Sequence, residues 1–170
     1  MSSNFVYIEP EDLIDIIDII QEFEYDYKEE VPNYDQEIDG IDNYFALIDR
    51  SKQIYYPDIF SKASYLFINI NNHYFSNGNK RLAVVSTVYF LEKNKYSARE
   101  ILKNDYKKIL IELFGEVPLV DFKEFDAISF GLYNLAIIVA MRNESKILQL
   151  QNDDTKEKVE QFFKAIFVSP

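Results

Sequence analysis

A short run from His73 to Arg81, HYFSNGNKR, combines a candidate general base with a cluster of anion-binding groups. His73 is the only histidine of the 170 residues, and an ordinary imidazole pKa of about 6.5 suits a base that takes a proton from a hydroxyl. Gly78 has no side chain to keep a ligand away from the backbone. The next three residues supply an amide, a mobile ammonium and a guanidinium fork: Asn79, Lys80 and Arg81. A base beside such a cradle indicates phosphoryl or nucleotidyl transfer.

The run opens an apolar segment from Leu82 to Leu91, which predicts a helix buried on nearly every face. A helix N-terminus carries unpaired N–H groups and a partial positive charge, so it binds anions. Basic side chains in a first turn oppose that charge unless an anion is present. The spacing alone predicts an anion site, for which a polyphosphate is the best-suited ligand. A catalytic role and a capping or packing role for His73 both stay open. Phe75 is expected to pin the loop to the core.

The composition predicts a single, mostly helical domain covering residues 1–170. With 48% hydrophobic residues, a chain of this length can bury a core without disulfides or metals. Four glycines and five prolines supply few of the turns that a many-stranded sandwich or barrel requires. The sequence has no cysteine, which excludes disulfides, thiolate zinc sites and cysteine nucleophiles.

The charge argues against a nucleic-acid partner. The net charge is -11 and the sequence pI is about 4.6, so the surface as a whole repels phosphate backbones. A DNA-binding regulator would also need a basic recognition face, and no predicted helix has one. A small anion can still bind where a few cations are concentrated, as at Lys80 and Arg81.

The first twenty residues do not have the pattern of a signal peptide, because no basic region precedes an uninterrupted apolar run. The apolar stretch LAIIVAM is too short to span a bilayer. We therefore expect a cytoplasmic protein with no membrane partner.

Apolar spacing and capping residues predict six or seven helices around the loop. Ser97 and Glu100 have capping-box spacing, Asp121 and Asp154 are candidate N-caps, and Gly115 is a candidate stop. Residues 25–40 are acidic and aperiodic, which predicts a loop or a small hairpin. The helices are expected from Pro10 to about Glu24, from Ile41 to Ser51, from Pro57 to Asn71 or Asn72, through Leu82 to Leu91, from Ser97 to Gly115, and after Asp121 and Asp154.

The run HYFSNGNKR resembles the Fic/Doc motif, His-x-Phe-x-(Asp/Glu)-x-Asn-(Gly/Lys)-Arg. Its Asn-Lys-Arg ending, followed by LAVVSTVYFLEKN, is most similar to the Doc (death-on-curing) branch. A weaker similarity extends from about Ile8 through Tyr96. The resemblance implies an all-α, compact Fido-type bundle with a small β-hairpin flap that docks the target, for which residues 29–40 are the candidate.

The resemblance also implies an enzyme that uses ATP or another nucleoside triphosphate with Mg²⁺ to modify a hydroxyl of a target protein. It places the general base at His73 and the metal ligand at Asn77. It places the nucleotide-binding turn at Gly78, Asn79, Lys80 and Arg81.

Three departures from the Fic pattern refine this expectation. Fic proteins that transfer AMP have a second glycine where this chain has Lys80, and a further arginine where it has Val84. Both differences point to Doc, which phosphorylates elongation factor Tu. Asn77 replaces the carboxylate expected to hold Mg²⁺, which prefers charged oxygen ligands.

The leading interpretation is a Doc-like toxin that transfers phosphate to a protein of the translation machinery, with elongation factor Tu as a candidate target. A separate antitoxin is the expected restraint, because the sequence lacks the self-silencing helix pattern of some Fic proteins. The alternatives are an AMP-transferring Fic enzyme and a catalytically degenerate Fido domain that only binds.

Overall fold

The computed structural model describes residues 4–22, 32–72, 74–121, 123–142 and 152–170. These residues form seven α-helices, one 3₁₀ turn and two short strands. In chain order they are α1 (Asp12–Glu22), the 3₁₀ turn (Tyr34–Gln36), α2 (Ile38–Ser51), α3 (Ile59–Ile70), α4 (Asn79–Lys93), β1 (Ser97–Ala98), α5 (Lys103–Phe114), α6 (Ala127–Met141), α7 (Asn152–Ile166) and β2 (Phe167–Val168). The all-α expectation is confirmed.

Helix α4 is the central element. It packs against α1, α3 and α6, while α3 also packs against α2 and α7. Apolar side chains on different faces of α4, such as Leu82, Ala83 and Phe90, are each 0% exposed. Its neighbours therefore surround α4 and bury its apolar side chains.

The apolar stripes predicted for the first and last helices are buried. Leu13, Ile16, Ile17 and Ile20 of α1 belong to the core. The four apolar residues expected inside α7 are each 0% exposed: Val159, Phe162, Phe163 and Ile166. Phe23, predicted at the end of the first stripe, lies outside the described residues.

Helix α3 begins close to the expected place. Asp58, one residue after Pro57, is its N-cap, and its carboxylate accepts the N–H of Ser61 at 2.9 Å. Asn71 is the C-cap, as the two asparagines there predict.

The helix start predicted at Ser97 is wrong. Ser97 and Ala98 form β1, which pairs antiparallel with β2, and Arg99 N–H donates to Ile166 O at 2.7 Å. Helix α5 begins only at Lys103, where the Asp105 carboxylate accepts the N–H of Leu102 at 3.1 Å. The long-range strand pairing outweighs the local Ser–Glu spacing. Gly115 is the C-cap of α5, as predicted.

The predicted start at Asp121 is also wrong. Helix α6 begins at Ala127, and the side chain of Asp126 accepts the N–H of Ser129 at 2.8 Å. The side chain of Asn134 instead holds both the N–H and the carbonyl of Val120, ahead of the helix start. Helix α7 begins at Asn152, two residues before the expected cap Asp154.

The β1–β2 pair joins residues 97–98 to residues 167–168 and is not the hairpin predicted within residues 25–40. The described part of that segment consists of the 3₁₀ turn and the start of α2. Within the described ranges, no helix combines the length and apolar character that crossing a membrane demands.

Within the described ranges, three asparagines each bond to both the N–H and the carbonyl of one other residue. Asn94 accepts the N–H of Val6 at 2.9 Å and donates to its carbonyl at 2.8 Å, which fixes the N-terminal segment. Asn134 does the same for Val120 with bonds of 2.7 and 2.9 Å. Asn79 is the third, and the residue that it holds lies in the candidate site.

Candidate functional site

The start of α4 has the geometry that anion binding requires. Its N-cap is Gly78, with a φ of 71° and a ψ of 13°, the left-handed conformation that glycine adopts without strain. The N–H of Leu82 donates to Gly78 O at 3.0 Å and begins the helical ladder. The backbone N–H groups of Asn79 and Lys80 therefore precede the ladder. No acidic residue stands in the first turn of α4.

The side chain of Asn79 shapes the loop instead of facing solvent. Its Oδ1 accepts the N–H of Phe75 at 2.9 Å, and its Nδ2 donates to Phe75 O at 2.8 Å. Asn79 is 5% exposed. The amide that the sequence placed among the phosphate donors is thus committed to a turn of the loop, and only its backbone N–H remains for a ligand.

The 3₁₀ turn supports the loop from one side. The hydroxyl of Tyr34, 1% exposed, donates to the carbonyl oxygen of Gly78 at 3.0 Å. A Cβ added to Gly78 would lie 2.9 Å from Pro32 Cδ and would also meet the Tyr34 hydroxyl. Gly78 is therefore required for two reasons, its positive φ and the close approach of this turn.

Phe75 anchors the middle of the loop. Its ring is 4% exposed and packs edge-on against Tyr34, with 5.0 Å between ring centroids. Gly40, in the first turn of α2, makes room for it, because a Cβ there would lie 2.7 Å from Phe75 Cδ1. The loop, the 3₁₀ turn and the start of α2 thus form one packed unit.

Glu37 adds two hydrogen bonds to this packed unit. One carboxylate oxygen accepts the N–H of Ser76 at 2.8 Å, and the other accepts the Ser76 hydroxyl. Ser76 is exposed, and Glu37 is half-buried. We call the contacts of Tyr34, Glu37 and Gly40 with Phe75, Ser76 and Gly78 the loop clasp.

Asn77 offers one neutral oxygen to a metal ion. Its Oδ1 accepts the N–H of Gly78 at 2.9 Å, which uses one of the two lone pairs of that oxygen. Among the described residues, no three His, Cys, Asp or Glu side chains converge as a metal site. Mg²⁺ is commonly held by one or two protein oxygens together with substrate phosphates. The donor set fits a metal carried by a nucleotide and not a metal held by protein side chains alone.

The remaining predicted site residues lie in different environments. Lys80 is half-buried in the first turn of α4. Arg81 is 1% exposed, so only a ligand that reaches the base of that turn can contact its guanidinium. His73 lies outside the described residues, although Asn72 and Tyr74 on either side of it are described.

Val84 lines an apolar pocket of about 220 Å³ between α1, α4 and α6. Its other apolar lining residues are Ile19, Val85, Val88, Ile128 and Leu132. The described lining contains no lysine or arginine. The described surroundings of Val84 therefore supply no positive charge.

Sequence reasoning missed the loop clasp. Glu37 and Tyr34 lie some 40 residues before their partners, in a segment predicted to be a connector. The one available signal was Gly40, because a glycine within a helix lowers stability and implies a close packing neighbour.

The fold and the loop together define a helical protein with a glycine-capped turn before its central helix and a histidine just upstream. A sequence model of the Fic/DOC family matches residues 7–91, half of the chain, and the protein belongs to this family. No curated protein and no solved structure matches the chain. Family membership indicates transfer of a nucleotide or a phosphate from a nucleoside triphosphate.

Proposed function

We propose that the protein is a Doc-like enzyme that transfers the γ-phosphate of a nucleoside triphosphate to a hydroxyl of a target protein. The observation that carries the proposal is the start of α4, where glycine-capped N–H groups and Lys80 stand together with no acidic side chain in the first turn. Such a helix start is built to hold phosphate oxygens. This helix start lies within the family motif, which supports a nucleotide as the source of those oxygens.

In this proposal His73 takes the proton from the attacking hydroxyl. The N–H groups of Asn79 and Lys80, with the Lys80 ammonium, neutralise charge on the phosphate as it transfers. Arg81 contributes from the base of the turn. The side chain of Asn79 acts indirectly, because its two bonds to Phe75 keep the loop in the shape that presents these N–H groups.

Mg²⁺ would arrive bound to the nucleotide and supply further positive charge to the phosphates. Asn77 is the residue of this chain that would contact it. Because an amide oxygen is a weaker ligand than a carboxylate, the protein is expected to need more Mg²⁺ than relatives with an acid at this position.

Two features favour phosphate transfer over AMP transfer. Lys80 adds a charge where AMP-transferring relatives have glycine, and Val84 faces an apolar pocket where they have arginine. Without that arginine, the terminal phosphates lose a partner that AMP transfer uses. The resemblance to Doc agrees with this choice.

The biological setting is part of the proposal. A Doc-like enzyme acts as a toxin in the cytoplasm, with a protein of the translation machinery as substrate and elongation factor Tu as the candidate. A separate antitoxin protein would restrain it.

The test uses the full chain, ATP labelled at either the α or the γ position, Mg²⁺ and purified elongation factor Tu. Transfer of the γ label, absent in His73→Ala and reduced in Lys80→Ala, is the expected result. Label from the α position would replace phosphate transfer with AMP transfer. In parallel, expression in bacteria should slow growth and translation for the parent but not for His73→Ala.

A degenerate, binding-only protein is the second candidate, and Asn77 is the observation that favours it. Its amide oxygen is neutral and already accepts a bond from Gly78. Calorimetric binding of ATP without consumption, even at high Mg²⁺, would support this reading. Replacing the amide by a carboxylate in Asn77→Asp should then raise metal affinity and create measurable transfer.

A further inference from the structure

Ser76 and Glu37 form a hydroxyl–carboxylate pair that the proposed reaction leaves unused. The Ser76 hydroxyl donates to one Glu37 oxygen, and the Ser76 N–H donates to the other at 2.8 Å. A hydroxyl hydrogen-bonded to a base is the arrangement of an activated nucleophile. These two hydrogen bonds keep the Glu37 carboxylate, the candidate base, next to Ser76. The lone pairs of the Ser76 hydroxyl oxygen remain available for attack.

The pair lies close to the phosphate-binding turn. Ser76 is two residues before Gly78, and two residues of extended chain span at most about 7 Å. Ser76 is also exposed, so solvent and a ligand can reach its hydroxyl. The chain separation therefore keeps this hydroxyl near a phosphate that the turn would hold.

Three other described hydroxyls lack at least one of these two properties. Ser51 donates to the carbonyl of Ile48, and Ser86 shares a hydrogen bond with Tyr44. The Tyr89 hydroxyl lies within hydrogen-bond distance of two carboxylates, but it is ten residues into α4, about 15 Å along the helix from Asn79. Of these four hydroxyls, that of Ser76 combines a carboxylate partner with a place in the loop.

We propose that Ser76 is a self-modification site, at which the protein phosphorylates its own motif loop. The inference rests on the proposed function, since the nucleotide site supplies the phosphate. The Ser76 oxygen forms a bond to the γ-phosphorus, and the bond between that phosphorus and the β–γ bridging oxygen breaks. The serine proton passes to the Glu37 carboxylate and then to water, and the nucleoside diphosphate leaves.

Phosphorylation of Ser76 would weaken nucleotide binding by the same protein. A phosphoserine brings nearly two negative charges beside Glu37, which repels them. The new phosphate would also compete with a nucleotide for the N–H groups at the start of α4. Modified protein is therefore expected to bind ATP at least about tenfold more weakly than unmodified protein, the effect of roughly 1.4 kcal/mol.

The test incubates the full-length protein with γ-labelled ATP and Mg²⁺, without any target, and maps labelled peptides by mass spectrometry. We expect one phosphate on Ser76, formed at a rate that does not change with protein concentration, because the transfer is intramolecular. Glu37→Gln should slow this step about 100-fold, the scale of a lost general base. Ser129→Ala is the matched control, since Ser129 also gives its N–H to a carboxylate at a helix start, and it should leave the Ser76 label unchanged.

The outcomes separate the two proposals. Transfer to elongation factor Tu or to another protein, with the Ser76 peptide unlabelled in the same sample, overturns self-modification and leaves the proposed function standing. Absence of nucleotide binding by the parent overturns both. A rate of Ser76 labelling that rises in proportion to protein concentration contradicts the intramolecular step, and an unchanged rate in Glu37→Gln removes Glu37 as the base.

Discussion

The side-chain amide of Asn79 bonds to both backbone polar groups of Phe75, four residues earlier, at 2.9 and 2.8 Å. This pair of bonds bends the chain back toward the start of α4 just before Gly78. The asparagine of the family motif therefore acts in this protein as the internal brace of the loop.

Asn79→Ala removes both bonds and leaves the Phe75 N–H and carbonyl without their buried partner. We expect a loss of about 1–3 kcal/mol of unfolding free energy, measured by urea denaturation. We also expect ATP affinity, measured by calorimetry, to fall by about tenfold or more, as a shift of about 1.4 kcal/mol would produce.

The chain supplies a matched control for this change. Asn134, on α6 and outside the loop, holds Val120 with the same two bonds and also donates to Phe130 O at 2.9 Å. Asn134→Ala should lower stability by a similar amount and leave ATP affinity unchanged. Equal losses of affinity in both variants would show that Asn79 acts only through global stability.

Gly40→Ala tests the packing of Phe75. In an ordinary helix this change stabilises by about 0.5–1 kcal/mol. Here the new Cβ would lie 2.7 Å from the Phe75 ring and 2.9 Å from Tyr74 O, so we expect destabilisation of about 1–3 kcal/mol. A double-mutant cycle with Phe75→Leu, measured by thermal denaturation, should show that the smaller side chain relieves part of this penalty. Additive effects would contradict the contact.

Removing the hydroxyl group should change the unfolding free energy in opposite directions at two buried tyrosines. The Tyr106 hydroxyl has no hydrogen-bond partner among the described residues, whereas the Tyr44 hydroxyl bonds to Ser86 Oγ at 2.9 Å. Tyr106→Phe should therefore raise unfolding free energy by about 1 kcal/mol, and Tyr44→Phe should lower it by a similar amount. Equilibrium urea denaturation of both variants decides this.

Tyr106 also makes stability depend on alkaline pH. Burial, with a smaller effect of the Asp126 charge, raises the pKa of Tyr106 from 10.0 to about 12. The folded state thus favours the neutral phenol, and this contribution is present below pH 10 and is lost as pH rises toward 12. Tyr106→Phe should reduce the fall in unfolding free energy between these two values. A parallel fall in parent and variant would contradict the assignment.

Asp12 links the start of α1 to α4 and makes stability depend on acid pH. Burial alone would raise the pKa of Asp12, but bonds from the Glu9 N–H, Lys93 and Tyr89 outweigh it and lower the pKa below 3.8. The stabilisation is present above pH 3.8 and is lost as pH falls through the folded-state pKa. The stability difference between the parent and Asp12→Asn should therefore shrink when denaturation is repeated at pH 3.

Asp49→Asn is the control for this measurement. Asp49 forms an exposed ion pair with Lys52 at 2.8 Å, and exposed pairs contribute at most about 1 kcal/mol. A pH-dependent difference as large as that of Asp12→Asn would indicate general surface charge as the cause.

Periodic apolar spacing was sufficient to predict most helices, because burial on one face is a local property of the sequence. The stripes of α1, α3 and α7 are read directly from residues such as Ile16, Leu66 and Phe162. Helix starts were less predictable where distant residues compete. Ser97 has the spacing of a cap but pairs with Val168, which no local pattern reveals.

The candidate site was predictable only in part for the same reason. The motif located the turn at Gly78, whose left-handed backbone follows from its residue type. The two hydrogen bonds of the Asn79 side chain depend on where Phe75 lies after the loop has folded. The loop clasp depends on a segment some 40 residues earlier, and the burial of Arg81 depends on the helices packed around α4.

The half of the chain that matches the family, residues 7–91, relies on packing against the helices that follow it. Phe67 of α3 packs edge-on against Phe163 of α7, with 5.5 Å between ring centroids, and α4 packs against α6. A shortened protein ending at residue 91 would keep every motif residue. It would also expose to water the faces of α3 and α4 that pack against α7 and α6. The fold around this loop thus depends on sequence that lies well beyond it, and minimal versions of the protein should aggregate before they can be assayed.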